Sequence, residues 1–155
     1  MIDFRIQILI ALAGLYFINK ILTGFAEKTG LAKTKEEKEQ EKEIANAENS
    51  DYWKPSYYKD LKAKYKNRVA LSNPETVERL AKNFYDAIGT FNDNEDKVYA
   101  NLRFMKYGTQ LSQVSERFFQ MYQKDLFNYL RSSLNDKEMT TVSKLVNNLE
   151  TGILK

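Results

Sequence analysis

Residues 72–90 read SNPETVERLAKNFYDAIGT. Asn73 offers a side chain suited to an N-cap. Pro74 takes the first helical position, where no N–H is needed, and Glu75 lies where the helix dipole favours negative charge. Val77, Leu80, Ala81, Phe84 and Ile88 then recur at helical spacing until Gly89 stops the run. One strongly amphipathic helix is predicted, with its apolar stripe waiting for partners.

The partners follow along the chain. Asn92-Asp93-Asn94 supplies caps for a second helix carrying Val98, Leu102 and Met105, with Tyr99 beside them. Gly108 is expected to break it and Thr109 to start a third, whose stripe is Leu111, Val114, Phe118 and Met121. Asp125 is placed to cap a short fourth helix with Leu126, Leu130 and Leu134. Asp136 is placed to cap a fifth with Met139, Val142, Leu145, Val146 and Leu149, and Gly152 is its expected stop. No strand pattern of weight occurs. Residues 72–155 therefore read as an all-α, five-helix bundle with Phe84, Phe118 and Phe119 in its core.

Within this bundle, Asp86-Ala87-Ile88-Gly89-Thr90, followed by Asp93, Glu95 and Asp96, resembles the glycine-rich, Gly-Thr-ending loop of an annexin repeat. The stretch from Tyr122 through Lys124-Asp125-Leu126 to Leu134 is similar to the annexin turn into its fourth helix. The order of five helices with a short fourth also fits, and the resemblance covers roughly residues 74–149. It implies a five-helix fold. Annexin repeats hold calcium, and through it anionic lipid, with loop carbonyls and a distant acid. Here Ala87 replaces the first glycine, Phe91-Asn92-Asp93 looks inserted, and Ser133 stands where that acid belongs, with Asp136 a poor substitute. Annexins also use four repeats, whereas one is found here. Calcium wants several oxygen ligands, charged ones among them, so no metal site is expected.

The composition narrows the chemistry further. The 155 residues contain neither cysteine nor histidine, which excludes disulfides, thiolate metal sites and the commonest general base. A formal charge of +3 does not by itself argue for nucleic acid. Lys, Asn, Ile, Tyr and Phe are plentiful, a usage common in AT-rich genomes, including those of bacteriophages.

Residues 1–26 differ from the rest. Ile8, Leu9, Ile10, Leu12, Leu15, Phe17, Ile18, Ile21, Leu22 and Phe25 dominate a hydrophobic segment bounded by Asp3 and Arg5 on one side and Glu27 and Lys28 on the other. As a helix it spans roughly 27 Å, close to one bilayer core. A single membrane-spanning anchor is expected. A cleaved signal peptide fits less well, because Ala11-Leu12-Ala13 falls inside the apolar run rather than after it. The third reading is a helix packed inside an assembly, which Asn19 and Lys20 keep open.

Residues 27–50 form a charged linker with no apolar stripe to dock it, expected as a solvated helix or spacer. Residues 51–71 then form an aromatic and basic collar, in which Tyr52, Trp53, Tyr57, Tyr58 and Tyr65 alternate with Lys54, Lys59, Lys62, Lys64, Lys66 and Arg68. This mixture suits a bilayer interface or a protein-docking patch. It also suits plain packing, with the aromatics capping the bundle and the lysines in water.

For catalysis little remains. Glu116 and Asp125 have a spacing similar to that of phage-type muramidases, but the threonine those enzymes carry farther on is missing and Arg131 stands near its place. All six glycines are isolated, so no phosphate-binding loop exists. The expectation is a non-enzymatic, membrane-anchored structural or interaction protein, a virion membrane component of a phage among the options. It needs no cofactor, and its partners are membrane lipid and a protein or its own copies; nucleic acid is not an expected partner. The alternatives are a peripheral module gripping anionic lipid through residues 51–68 and, last, a muramidase-like enzyme.

Overall fold

A computed structural model describes residues 33–88 and 94–155. The expected anchor, from Ile8 to Phe25, and the Gly89–Asp93 part of the annexin-like loop lie outside the described residues. The chain divides after Glu39 into two units, and the second, Gln40–Lys155, holds the bundle.

Among the described residues every regular element is helical: α1 (Lys35–Glu48), α2 (Tyr57–Tyr65), α3 (Pro74–Ala87), α4 (Glu95–Phe104), α5 (Gly108–Tyr122), α6 (Leu126–Arg131) and α7 (Asp136–Asn147). Two 3-10 turns, Asp51–Trp53 and Lys66–Arg68, flank α2. The only extended pairings described are isolated bridges, Val69 with Ile153 and Tyr107 with Glu150. The all-α class follows from the sequence pattern.

The caps show why the helices start where they do. Asn73 accepts a bond from the Thr76 amide at 2.8 Å, Asn94 from Lys97 at 2.9 Å and Asp125 from Asn128 at 2.8 Å. Each satisfies an amide that has no partner inside the helix. Two expected starts shift by one residue. The last helix is capped by Asn135, whose side chain accepts from the Lys137 and Glu138 amides while its own amide donates to the Glu138 carboxylate, a reciprocal box. Gly108 is the first residue of α5, not a breaker before it, because the Gln110 side chain accepts from the Lys106 and Tyr107 amides and closes the turn.

Helix α5 is central: α3, α2, α6 and the Asp51–Trp53 turn all pack on it, α4 packs on α3, and α7 packs on α4. The core joins Leu80 and Phe84 of α3, Val98 and Leu102 of α4, Leu111, Val114 and Phe118 of α5, Leu126 and Leu130 of α6, and Met139, Val142 and Val146 of α7. Each such side chain contributes about 1.5–3 kcal/mol relative to remaining exposed. Phe119, expected in the core, is half exposed because it lies one residue round the helix from the fully buried Phe118.

Helix α1 departs from the expected tether. Ile44 and Ala47 are buried, and Ile44 joins the core cluster. A stripe of two side chains is too short to register as periodicity, yet it is enough to dock the end of the helix. Upstream, Thr34 and Glu37 exchange side chain to amide bonds at 3.2 and 2.7 Å and so open the helix.

Candidate interaction surface

The stretch from Tyr52 to Arg68 is fastened to α5 by its polar and aromatic groups. The Ser112 hydroxyl donates to the Lys54 carbonyl at 2.6 Å, and the Tyr58 amide donates to the same hydroxyl at 3.2 Å. One small side chain on α5 thus satisfies both the approach to α2 and its first turn. Tyr52 lies over Gly108 and packs on Tyr57 with ring centres 5.1 Å apart. Trp53 is only 5% exposed and meets Phe127 edge to face at 5.4 Å. The Tyr57 hydroxyl donates to the Thr151 carbonyl at 3.1 Å.

Glu116, one turn along α5 from Ser112, is the electrostatic link. Its carboxylate accepts from the Tyr58 hydroxyl and pairs with the Lys59 ammonium. Burial alone would raise this carboxyl. The hydrogen bonds from Lys59 and Tyr58, together with the Lys59 charge, outweigh it and hold the carboxyl below its ordinary value. Tyr58 responds in the opposite sense: burial and its bond to the Glu116 carboxylate push its hydroxyl up to about 12. Tyr57 is likewise pushed up to about 12, by burial first and then by Tyr52 and Asp51.

The collar therefore sorts by side. Trp53 is buried, and Tyr57, Tyr58 and Tyr65 are half-buried, whereas Lys59, Lys62, Lys64, Lys66 and Arg68 are exposed. Lys59 is committed to Glu116. Lys64 lies 5.2 Å from the Tyr65 ring centre, a cation–π contact, and Arg68 donates to the Leu154 carbonyl at 3.1 Å. Lys62 and Lys66 have no ion pair among the described residues.

Among the described residues the two muramidase-like acids line different cavities. Glu116 lines an open cavity of about 410 Å³ with Tyr58, Glu78, Gln113 and Arg117, whereas Asp125 lines another, of about 230 Å³, with Trp53 and Phe127. In the first, Glu78 pairs with Arg117 at 2.6 Å and Gln113 bonds the Ser72 backbone. In the second, Asp125 is spent as the cap of α6. No protein family, curated protein or solved structure matches the chain.

Of the annexin-like positions described, Asp86 is paired with Lys82 at 2.7 Å, and the Ser133 hydroxyl donates to the Tyr129 carbonyl at 3.2 Å. Glu95 and Asp96 stand at the start of α4 beside a cavity of about 280 Å³. Among the described residues no helix is long and apolar enough to cross a membrane.

Besides the docking of α1, sequence reading missed two features. One is the pairing of the segment after α2 with the chain's last described residues: Leu154 N donates to Arg68 O at 2.7 Å and Ala70 N to Gly152 O at 2.8 Å. The other is a stack in which Tyr85 lies parallel to Tyr122 at 3.9 Å and to Tyr129 at 5.7 Å, with Lys124 Nζ 4.9 Å from the Tyr129 ring centre. Neither leaves a local periodic signal.

Proposed function

We propose that this chain is a non-catalytic, membrane-anchored interaction or structural protein. The observation that carries this reading is the apolar run of residues 8–25; in the collar the aromatics turn to the bundle, as plain packing requires, and what is left to solvent is its cations, Lys62 and Lys66 among them. The reading is supported further by the employment of both candidate acids: Glu116 is held ionised by Tyr58 and Lys59, which unfits it as a proton donor, and Asp125 caps a helix.

The anchor rests on the length and apolarity of residues 8–25. The order and relative lengths of α3 to α7, with a short α6, support the annexin-like reading of the bundle. Composition supports the finer assignment to a virion membrane. An anchored bundle meets its partners at raised local concentration, so weak contacts suffice.

Membrane fractionation of the full chain tests this. The wild type is expected to resist both carbonate and high-salt washes, while a Leu12→Arg, Ile18→Arg variant is released. Release of the wild type by carbonate would end the anchor reading.

A further inference from the structure

Two buried residues, Trp53 and Val69, bracket a stretch in which nothing is buried. Residues 54–68 hold α2 and the 3-10 turn after it, and none of their apolar or aromatic side chains joins the core cluster. Trp53 is held by Phe127 and Val69 by its bridge to Ile153. The stretch leaves and re-enters the fold at one place. Tyr52 lies on Gly108, and the Ala70 carbonyl accepts from the Thr109 hydroxyl at 2.6 Å, so the two ends rest on neighbouring residues at the start of α5. Compact surface segments whose ends meet are frequently functional.

Beyond the ring contact of Tyr57 with Tyr52, what fastens this stretch is polar. On α5 the ties are the Ser112 hydroxyl, bonded to the Lys54 carbonyl and the Tyr58 amide, and the Glu116 carboxylate, bonded to Tyr58 and Lys59. Elsewhere Tyr57 bonds the Thr151 carbonyl and Arg68 the Leu154 carbonyl. Both sides of such a contact find water when parted, so separation exchanges these bonds for bonds to water and exposes little apolar surface. Lys66 adds an independent observation. It sits at φ 52°, a backbone region other residues than glycine rarely adopt, so the closed arrangement carries strain at the point where the stretch turns back.

We propose that residues 54–68 form a lid that opens as one unit while Trp53, Val69 and the bundle stay in place. Opening uncovers Ser112, frees the Glu116 carboxylate from Lys59, and widens the cavity of about 410 Å³ that Tyr58 lines with Val77 and Glu78 of α3. The closed form hides a carboxylate that the open form presents. The lid does not rest on the anchor, since its contacts lie within Gln40–Lys155.

Hydrogen exchange of the full chain in neutral detergent, read amide by amide over a series of low urea concentrations, tests this. A helix of nine residues does not hold once undocked, so opening exposes the Tyr58 amide and the helical amides of residues 61–65 together. They are expected to share one opening free energy, below that of the α3 and α5 core amides, with a weak urea dependence. Glu116→Gln should speed all of them by a common factor of about ten. Lys66→Gly should slow all of them about threefold, because it relieves strain in the closed form only. Exchange of these amides in step with the slowest core amides, with the same steep urea dependence, overturns the proposal: the stretch would then leave only on global unfolding. Rates graded inward from the ends of α2 and indifferent to both variants overturn it as well, because that pattern is fraying.

Discussion

Gly108 lies so close beneath the ring of Tyr52 that a Cβ on it would fall 2.5 Å from Cγ and 2.6 Å from Cε1 of that ring. The ring also packs on Tyr57 at 5.1 Å, and moving it would give up that contact. Gly108→Ala should therefore cost about 1–3 kcal/mol, the usual range for an overpacked contact. Pairing it with Tyr52→Ala in a urea-melt cycle should recover part of that loss. Strictly additive losses would show that the contact is not what glycine serves here.

The bond set on Glu116 makes stability depend on pH in a defined direction. Its folded carboxyl is held below the ordinary value. The stability it contributes is present above that ordinary value and lost as pH falls through the folded one. Glu116→Gln should lower stability at neutral pH by about 1–2 kcal/mol and flatten the acid limb. Urea midpoints for both proteins at neutral and acid pH check this: equal slopes would place the acid transition elsewhere.

The alkaline limb has the reverse sign. Tyr57 and Tyr58 titrate near 12 in the fold against 10.0 ordinarily. Their contribution is complete below about pH 10 and is lost as pH rises toward 12. Tyrosinate absorbance should lag behind that of free tyrosine over this window, and Tyr58→Phe should remove one lagging group while leaving the Tyr57 component.

Trp53 is the chain's sole tryptophan. Packed on Phe127, it should emit in the blue and resist acrylamide, and anionic vesicles should leave that emission unchanged. Trp53→Ala should cost about 3–5 kcal/mol, as a large core truncation does. A vesicle-induced shift of Trp53 would mean that the collar undocks to meet lipid.

Millimolar calcium should leave Tm of the full chain unchanged. A ligand that prefers the native state must raise Tm, so a clear rise would restore the annexin-type site. The engagement of Ser133 with the Tyr129 carbonyl argues for no change.

The helices of the bundle were legible because their signals are local: an Asn or Asp cap, then apolar residues every three or four positions. Asn73, Asn94 and Asp125 behave as their neighbours in sequence imply. The one-residue shift from Asp136 to Asn135 reflects two adjacent residues with the same capping chemistry. Docking of α1 was hidden because Ile44 and Ala47 are a single pair in a charged run. The candidate surface was half legible. Its lysines were visible in order, but which side chains turn inward depends on Ser112 and Glu116, residues of another helix that look like ordinary polar positions. Leu154 beside Arg68 is a pairing over 86 positions, to which no window of sequence is sensitive.

That distant pairing bears on synthesis. Tyr57 meets Thr151, 94 positions later, and the segment after α2 meets residues 152–154. At roughly 5–20 residues per second, a ribosome needs about 5–20 s to make the second half of this contact after the first. With nine residues and no partner yet made, α2 is too short to hold its helix alone, so for that interval the segment lacks both α5 beneath it and its closing strap. A translational pause between α2 and residues 151–154 would prolong this state.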